Sequence, residues 1–340
     1  MAANPVLVEI TRGKLTESRH RGAIAIADAN GRLVAALGDV TQTIFPRSSS
    51  KMFQAMPLVE SGAADRFHMS DEELSLACAS HSGEEAHVRT VEAFLARIGA
   101  SADDLACGPH WPINEMAARA LAVEGRTPCP LHNNCSGKHA GFVALAKHLG
   151  ADPRAYAELD HPVQKAVREI TCELCGVEED VLVAGMDGCA APNYAMPLAA
   201  FARGLAKLAD PSSLAPRRRE AALRLQTAVR EKPWFVAGTG RACTALIEGS
   251  TGGVTVKTGA EGYYAGIVPS LGLGIALKID DGGTRAAEAA MAAVLDHLGV
   301  LKKGDSPART LMTQAITNTR GMVVGHRHVS DTLKALLVAV

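Results

Sequence analysis

The chain has 340 residues, and 35 lysines and arginines nearly balance 36 aspartates and glutamates, giving a formal net charge of −1. This balance excludes a strongly basic surface for nucleic acid or acidic membranes, and an aromatic content of 4% argues against stacking on single-stranded bases. The sequence has no apolar run of the ~18 residues that a membrane span needs and no signal-peptide pattern. We therefore expect a cytoplasmic protein whose eight cysteines are reduced thiols.

The first half of the chain changes from strand-like to helix-like patterns. Short apolar runs predict strands at 6–10, 23–27 and 33–37. A helix is expected from residue 51, with Ser48 or Ser49 as its N-cap, and Ser70 with Glu73 predicts a capping box. Helical spacing then predicts helices at 91–98, 141–149, 162–174, 198–208 and 217–229.

After residue 234 the pattern returns to short β-prone runs separated by turns that contain glycine. Strands are predicted at 242–247, 253–257, 263–268 and 272–279, and a helix at 288–298. Strands at both ends with helices between them predict an α/β fold, in which an antiparallel sheet is flanked by helices. The expected division is a split sheet domain of residues 1–69 plus 233–340, with a mostly helical domain of residues 70–232 inserted.

The first motif with catalytic potential is a Ser-x-x-Lys at the predicted helix start, formed by Ser48 and Lys51. Residues three apart lie on one helix face, so the Ser48 hydroxyl is expected near the Lys51 amine. A serine nucleophile needs an adjacent base, and a lysine that burial makes neutral can serve. Arg47 could bind a substrate carboxylate bidentately. The structural alternative is an N-cap serine between an exposed arginine and an exposed lysine.

The second motif is Lys257-Thr258-Gly259, at the end of a late predicted strand. Lys-Thr-Gly accompanies Ser-x-x-Lys in penicillin-binding proteins and class A β-lactamases, so the two motifs together favour a serine–lysine active site. Ser80, in a Ser-His-Ser triplet, could pair with Lys257 as a second couple. A turn after an edge strand and a polar loop are the alternatives.

Two turns carry cysteines that could bind a metal ion. Cys135 lies in the segment His-Asn-Asn-Cys-Ser-Gly-Lys-His, and Cys189 lies in Met-Asp-Gly-Cys. Two thiolates could share a zinc ion, with His139 or Lys138 as further ligands. The alternatives are two packed thiols, or Cys135 with His139 as a nucleophile pair of the cysteine-protease kind.

These segments resemble the Rhizobium etli-type (class 3) L-asparaginases of the asparaginase II family, in the serine β-lactamase and penicillin-binding-protein fold group. The resemblance spans nearly the whole chain and is carried by FPRSSSK, ACASHSGEEAH, LHNNCSGKHAGF, GMDGCAAPNYAMPL, KTGAEG and LGLGIALKIDDG. It implies a serine β-lactamase-like α/β fold with an inserted helical domain, and a homodimer. It also implies hydrolysis of the side-chain amide of L-asparagine to L-aspartate and ammonia, through a Ser–Lys-activated nucleophile and an acyl-enzyme.

The resemblance also assigns residues to roles. The implied catalytic couples are Ser48 with Lys51 and Ser80 with Lys257, and the implied zinc ligands are Cys135, Lys138 and Cys189. The positions implied around the substrate are Arg47, Asn133, His139, Asp187 and Cys243, the last on a strand just before the Lys-Thr-Gly strand. Two other functions stay open: a β-lactamase-like esterase or peptidase, and a non-catalytic, zinc-containing protein that binds amino acids.

Overall fold

The computed structural model describes residues 3–338 of the chain. The strands are β1 (Val6–Arg12), β2 (Leu15–Asp28), β3 (Leu33–Leu37), β4 (Thr43–Ile44), β5 (Val183–Met186), β6 (Pro192–Pro197), β7 (Thr255–Thr258), β8 (Tyr263–Val268), β9 (Leu273–Ile279), β10 (Thr313–Thr317) and β11 (Val323–Val329). The helices are α1 (Lys51–Glu60), α2 (Ala63–Arg66), α3 (Asp71–Ala77), α4 (Glu85–Arg97), α5 (Glu115–Val123), α6 (Ser136–Leu149), α7 (Pro162–Cys175), α8 (Leu198–Ala209), α9 (Pro216–Glu231), α10 (Pro233–Ala237), α11 (Ala242–Glu248), α12 (Thr284–His297), α13 (Pro307–Thr310) and α14 (Asp331–Val338). Within this range no helix combines the length and the apolarity that a membrane crossing requires.

The chain divides into two compact units. Unit 1 consists of the described residues of Met1–Ser49, Met196–Asp210 and Ala245–Val340, and unit 2 consists of Ser50–Ala195 and Pro211–Thr244. This division differs from the expected ranges 1–69 plus 233–340 and 70–232 in three respects. Helices α1 and α2 belong to the helical unit, and so do residues 233–244, whereas α8 belongs to the sheet unit although it lies in the middle of the sequence.

Unit 1 is built on an antiparallel sheet with the strand order β10-β11-β1-β2-β9-β8-β7, and β3 also pairs with β2. The first half of β2 pairs with β1, and its second half pairs with β3 and β9. Exposed and half-buried residues alternate at the start of β2, whereas its last residues before Asp28 are buried without interruption. Continuous burial is typical of a strand that is covered on both faces.

Helices α8 and α12 cover opposite faces of this sheet. Gly266 pairs with Ile275, and Gly274 pairs with Ile267 in the next register position, so the two glycines point to opposite faces. A Cβ on Gly274 would lie 2.2 Å from the backbone nitrogen of Ala206 in α8, whereas one on Gly266 would face Met291 of α12. The α/β fold with an antiparallel sheet flanked by helices is therefore confirmed.

Unit 2 is mostly helical, with α1 packed against α6, α7 and α9. The buried Arg218 of α9 joins three helices, because its guanidinium pairs with Glu60 of α1 at 3.0 Å and with Glu173 of α7. The predicted capping box of α3 is confirmed: the Ser70 hydroxyl accepts from the Glu73 amide, and the Glu73 carboxylate accepts from the Ser70 amide.

The strand predicted at 242–247 is wrong, since these residues form helix α11. The run Ala-Cys-Thr-Ala-Leu-Ile is buried at all but one position, and a short run without exposed residues carries no period that separates helix from strand. Strands β10 and β11 were not predicted. Their mixture of polar and apolar residues is typical of a partly exposed sheet edge, as their burial shows.

We expect Gly274→Ala to destabilise unit 1, because the new methyl group would overlap backbone atoms of Ala202 and Ala206. Overpacking of this kind costs about 1–3 kcal/mol. Gly266→Ala is the matched control, since its methyl group would lie 3.3 Å from the flexible Met291 side chain. Urea denaturation measures both free energies of unfolding. Equal values for the two variants would contradict the close packing of β9 on α8.

Candidate active site

The predicted site residues are distributed over both units. Unit 1 contains Arg47, Ser48 and Lys257, and unit 2 contains Lys51, Ser80, Asn133, Cys135, Lys138, His139, Asp187, Cys189 and Cys243. The couples Ser48 with Lys51 and Ser80 with Lys257 each have one member in either unit, so these two pairings stay predictions. The geometry below is that of each unit by itself.

In unit 1 the Lys-Thr-Gly strand end lies against the turn that carries Ser48. Ser49, its neighbour, donates a hydrogen bond from Oγ to the backbone oxygen of Lys257 at 2.9 Å. A Cβ on Gly259 would lie 2.6 Å from the Pro46 oxygen and 2.9 Å from Ser49 Oγ. The glycine of this motif therefore permits the strand to approach the turn closely, and the structure brings Ser48 into the neighbourhood of Lys257.

The same turn is a 3-10 helix, Arg47–Ser50, that precedes α1. The residue that caps α1 is Ser50, and its side chain makes no capping hydrogen bond, so the expected cap at Ser48 or Ser49 is wrong. Ser49 fails as a cap because its hydroxyl is directed to Lys257 instead. Ser48 is half-buried.

Arg47 has a φ of 52°, which is a strained conformation for a residue with a side chain, and such strain is concentrated at functional sites. It lines a cavity of about 550 Å³ in unit 1, together with Asp39, Glu261, Lys278 and Asp280. The guanidinium is thus in a cavity that already contains three carboxylates.

In unit 2 the Lys51 amine is the centre of a buried cluster. Lys51 is 1% exposed, and its Nζ lies 3.0 Å from Ser80 Oγ and 3.0 Å from Cys135 Sγ. It also donates to the backbone oxygen of Ala79. The structure therefore brings the predicted base Lys51 into contact with Ser80, a predicted catalytic serine, and with Cys135, a predicted zinc ligand.

Ser80 follows helix α3 in an extended segment that is fixed by its neighbours. The Ser80 amide donates to the Val236 oxygen at 2.9 Å, and the His81 amide donates to the Asn134 oxygen at 3.1 Å. The His81 ring accepts from the Gly83 amide at Nδ1, and its Nε2 lies 2.8 Å from Ser136 Oγ. This ring links the segment of Ser80 to the start of α6, where Cys135 is located.

The second part of the cluster consists of Cys135, Lys138 and Cys189, each at most 5% exposed. Lys138 Nζ lies 3.1 Å from Cys189 Sγ. A hydrogen bond from Cys189, with the charges of Lys51 and Lys138, lowers the pKa of Cys135 well below its usual value, although burial opposes this. The same hydrogen bond and burial raise the pKa of Cys189. Cys135 is thus the more acidic of the two thiols.

Lys138 is held as an ammonium by these sulfurs. Burial would lower its pKa, but the charges of Cys189 and Cys135, the hydrogen bond to Cys189 and the charge of Asp187 together raise it. Sulfur from cysteine and neutral nitrogen are ligands that zinc accepts, and binding of a metal displaces protons from its ligands. Within residues 3–338 no three His, Cys, Asp or Glu side chains are arranged to hold a metal, so a zinc site here depends on Lys138. The buried sulfur and nitrogen donors fit such an ion.

The remaining predicted residues have different surroundings. Asn133 shapes the turn before α6, because its Oδ1 accepts from the Cys135 amide at 2.9 Å and its Nδ2 donates to the Gly108 oxygen at 2.6 Å. Asp187 begins the turn that leads to Cys189, and the Ala190 amide donates to its backbone oxygen. Cys243 is buried, but it lies in α11, so its prediction on a strand is wrong.

His139 is fully buried, and its Nδ1 lies 2.6 Å from the hydroxyl of Tyr156. That hydroxyl accepts from the Ala106 amide at 2.7 Å, so its own proton goes to His139 Nδ1. Burial lowers the pKa of His139 well below its usual value. Tyr156 was missed from the sequence, because nothing in the pattern around it differs from that of an ordinary core tyrosine.

Sequence profiles place the chain in a known class of proteins. The profile of the L-asparaginase II family matches residues 8–329, nearly the whole length, and proteins of this class are L-asparaginase-type hydrolases. The chain belongs to the L-asparaginase II family, which confirms the resemblance described above.

Comparison of the fold gives more distant similarities. A β-lactamase from Mycobacterium bovis is 13% identical, with 81% of this chain and 94% of that chain covered and a TM-score of 0.41. The native form of a protein called Mglu is 18% identical, with coverages of 89% and 70% and a TM-score of 0.45. Simvastatin synthase from Aspergillus terreus is 11% identical, with coverages of 79% and 90% and a TM-score of 0.40. No curated protein matches the chain in sequence.

A buried histidine stack beside the Ser80 segment predicts acid sensitivity. The His87 ring stacks on Trp234 with 4.0 Å between the centroids, and burial lowers the pKa of His87 to about 4. Because an unfolded histidine titrates near pH 6.5, the unfolded state binds more protons between these values. The contribution of neutral His87 to the free energy of unfolding is therefore complete above about pH 6.5. It decreases by as much as about 3 kcal/mol as the pH falls towards 4.

We therefore expect the free energy of unfolding in urea to decrease between pH 6.5 and pH 4. His87→Phe keeps a ring against Trp234 and removes the titrating group, so its decrease over this range should be smaller than that of the wild type. Identical pH dependence in the two proteins would show that His87 is not the group responsible.

Proposed function

We propose that the protein is an L-asparaginase, which hydrolyses the side-chain amide of L-asparagine to L-aspartate and ammonia. The observation that carries the proposal is the contact of 3.0 Å between the buried Lys51 Nζ and Ser80 Oγ, in a chain of the L-asparaginase II family. A serine hydroxyl next to a buried amine is an arrangement suited to acyl transfer. A cytoplasmic location and a homodimer are part of the same proposal.

Lys51 is the base in this mechanism. A neutral lysine amine has two N–H groups and one lone pair. The Ala79 oxygen and Cys135 Sγ are acceptors for the two N–H groups, which leaves the lone pair for the proton of a serine hydroxyl. The structure has Lys51 donating to Ser80 Oγ as well, so the base of this mechanism is the form of Lys51 that has lost one proton, whose lone pair is then directed at a serine hydroxyl.

The nucleophile is Ser48, three residues before Lys51 in the chain, and Ser80 with Lys257 delivers a proton to the leaving ammonia. Lys51 takes the serine proton as the serine oxygen forms a bond to the amide carbon. Ser80, in contact with Lys51, passes this proton to the amide nitrogen as the carbon–nitrogen bond breaks, and ammonia leaves. Water then hydrolyses the aspartyl ester and restores the hydroxyl. Backbone N–H groups near Ser48 stabilise the oxyanion. In the exchanged assignment Ser80 is the nucleophile, which its contact with Lys51 supports.

Zinc is the proposed metal, with Cys135, Lys138 and Cys189 as the residues that would hold it. When bound, it would supply a fixed positive charge that orients a substrate. Cys135 is in contact with Lys51, so the residues that hold the ion also help to position the base. The nucleophile in this mechanism is a serine, not a metal-bound hydroxide.

The function is tested by ammonia release from L-asparagine and L-glutamine, with nitrocefin as a substrate for β-lactamase activity. We expect ammonia from asparagine, and a decrease of about a thousandfold or more in turnover for both Ser48→Ala and Ser80→Ala. Ser18→Ala, in strand β2, is the control that should keep full activity. Acid quenching followed by peptide mass analysis identifies which serine carries the aspartyl group.

Three results would contradict the proposal in different ways. Nitrocefin hydrolysis without ammonia from asparagine would indicate an esterase or peptidase that acts on other acyl compounds. Tight binding of asparagine without ammonia would indicate an amino-acid-binding protein. Near-normal turnover of Ser48→Ala together with an aspartyl group on Ser80 would exchange the roles of the two serines.

The metal is tested by elemental analysis of the purified protein. We expect zinc in the wild type and its loss in Cys189→Ser, because a hydroxyl is a much poorer ligand for zinc than a thiolate. Cys172→Ser is the matched control, since Cys172 is a half-buried thiol of α7 outside the cluster. Equal zinc contents in the two variants would exclude Cys189 as a ligand.

A further inference from the structure

Arg241 is a half-buried arginine that the sequence motifs did not indicate. Its Nη1 donates to Ser82 Oγ at 3.1 Å and lies 3.5 Å from the backbone oxygen of Ser80. The guanidinium is therefore anchored on the residue whose hydroxyl contacts Lys51. The Lys51 amine therefore contacts the Ser80 hydroxyl, and the Arg241 guanidinium lies at the Ser80 backbone carbonyl.

The loop that carries Arg241 is held by hydrogen bonds to Glu84 and by a tightly packed glycine. Gly238 has a φ of 114°, and a Cβ there would lie 2.4 Å from Glu84 Oε1, so this position requires glycine. The Thr239 amide and hydroxyl donate to the Glu84 carboxylate at 2.8 and 2.7 Å. The Arg241 amide donates to the Gly238 oxygen at 3.4 Å. These contacts hold the backbone at Arg241, and the bond to Ser82 Oγ directs its guanidinium to the Ser80 segment.

The charge of Arg241 has no carboxylate partner among the described residues. Comparable half-buried arginines of unit 2 do have one: Arg168 pairs with Glu179, and Arg224 pairs with Asp65. Glu84, the carboxylate of this segment, is used by Thr239. The hydrogen bonds of the Arg241 side chain use Nη1, so the edge formed by Nε and Nη2 remains available, and this edge has the geometry that binds a carboxylate bidentately.

We propose that Arg241 binds the α-carboxylate of the substrate, an inference that rests on the proposed asparaginase function. The side-chain amide and the α-carboxylate of asparagine are separated by two carbon atoms. A ligand of this size, with its amide at the Ser80 hydroxyl, extends along the same residue towards the guanidinium. Arg47 was the candidate for this role from the sequence, but it lines a cavity with three carboxylates of its own unit, whereas Arg241 has none.

The test compares two substrates that differ in the carboxylate, L-asparagine and 3-aminopropanamide. For Arg241→Gln we expect kcat/KM for asparagine to fall about 10- to 100-fold, the factor for loss of a hydrogen bond to a charged group. The value for 3-aminopropanamide should stay that of the wild type. Arg241→Lys keeps the charge without the fork, so its loss on asparagine should be intermediate. Arg168→Gln is the matched control and should behave as the wild type on both substrates.

Equal losses on both substrates, or no loss on asparagine, would overturn the role of Arg241. A loss confined to asparagine in Arg47→Gln, with Arg241→Gln unaffected, would assign the carboxylate to Arg47. If 3-aminopropanamide is not turned over, the Kd of L-aspartate from calorimetry replaces it, and Arg241→Gln should weaken this binding by the same factor. A wild type that neither releases ammonia from asparagine nor binds aspartate would reject the asparaginase proposal, and this inference with it.

Discussion

The burial of the Lys51 amine is the constraint on which the arrangement of unit 2 depends. An amine that is removed from water must have hydrogen-bond partners, since its transfer to an apolar interior is otherwise unfavourable. Its three partners come from two segments, the residues after α3 and the turn before α6. The amine therefore holds Ser80 and Cys135 at a common point, and the two segments are joined again by His81 and Ser136. Lys51 Nζ therefore contacts both a serine of the proposed catalytic site and a cysteine of the proposed metal site.

The balance of charge in the cluster follows from the same burial. Two lysine amines and two thiols are enclosed together, and a hydrogen bond from Cys189 with the charges of Lys51 and Lys138 lowers the pKa of Cys135. A buried thiolate is stabilised by such hydrogen bonds and positive neighbours. A zinc ion bound by both sulfurs and by Lys138 would take over the positive charge that the Lys138 proton now supplies.

The sequence predicted well those features that depend on local pattern. The strand at 263–268 and the helix starting at residue 51 were correct, although both are buried almost throughout. The aromatic and β-branched residues of the strand, between turns that contain glycine, and the serines before the helix identified them without a period. Features that depend on contacts with other parts of the fold could not be predicted from the local pattern of residues. Residues 242–247 are buried on nearly all sides, so the pattern contains no period, and the sheet of unit 1 includes edge strands whose composition is mixed.

The same distinction applies within the site. Lys138 and His139 are adjacent in the chain, and both were candidate ligands beside Cys135. On helix α6 adjacent residues point about 100° apart, so only one of them can face Cys189. The structure shows that this is Lys138, whereas His139 is directed to Tyr156. The motif identified both Lys138 and His139 as candidates. Which of them faces Cys189 depends on the rotation of the helix, and the motif alone does not give this.

Recognition of the substrate imposes a different requirement from activation of the serine. A base beside a hydroxyl suits any acyl compound, and so Lys51 alone does not distinguish asparagine from an ester or a β-lactam. In the proposed function the guanidinium of Arg241, which lies at the Ser80 carbonyl, does distinguish these compounds. It favours a short ligand with an amide at one end and a carboxylate at the other. Hydrogen bonds to a charged group are among the strongest in proteins, and a rigid loop preserves their geometry. In the proposed function, selectivity therefore depends on the position of Arg241 relative to Ser80 more than on Lys51, the proposed base.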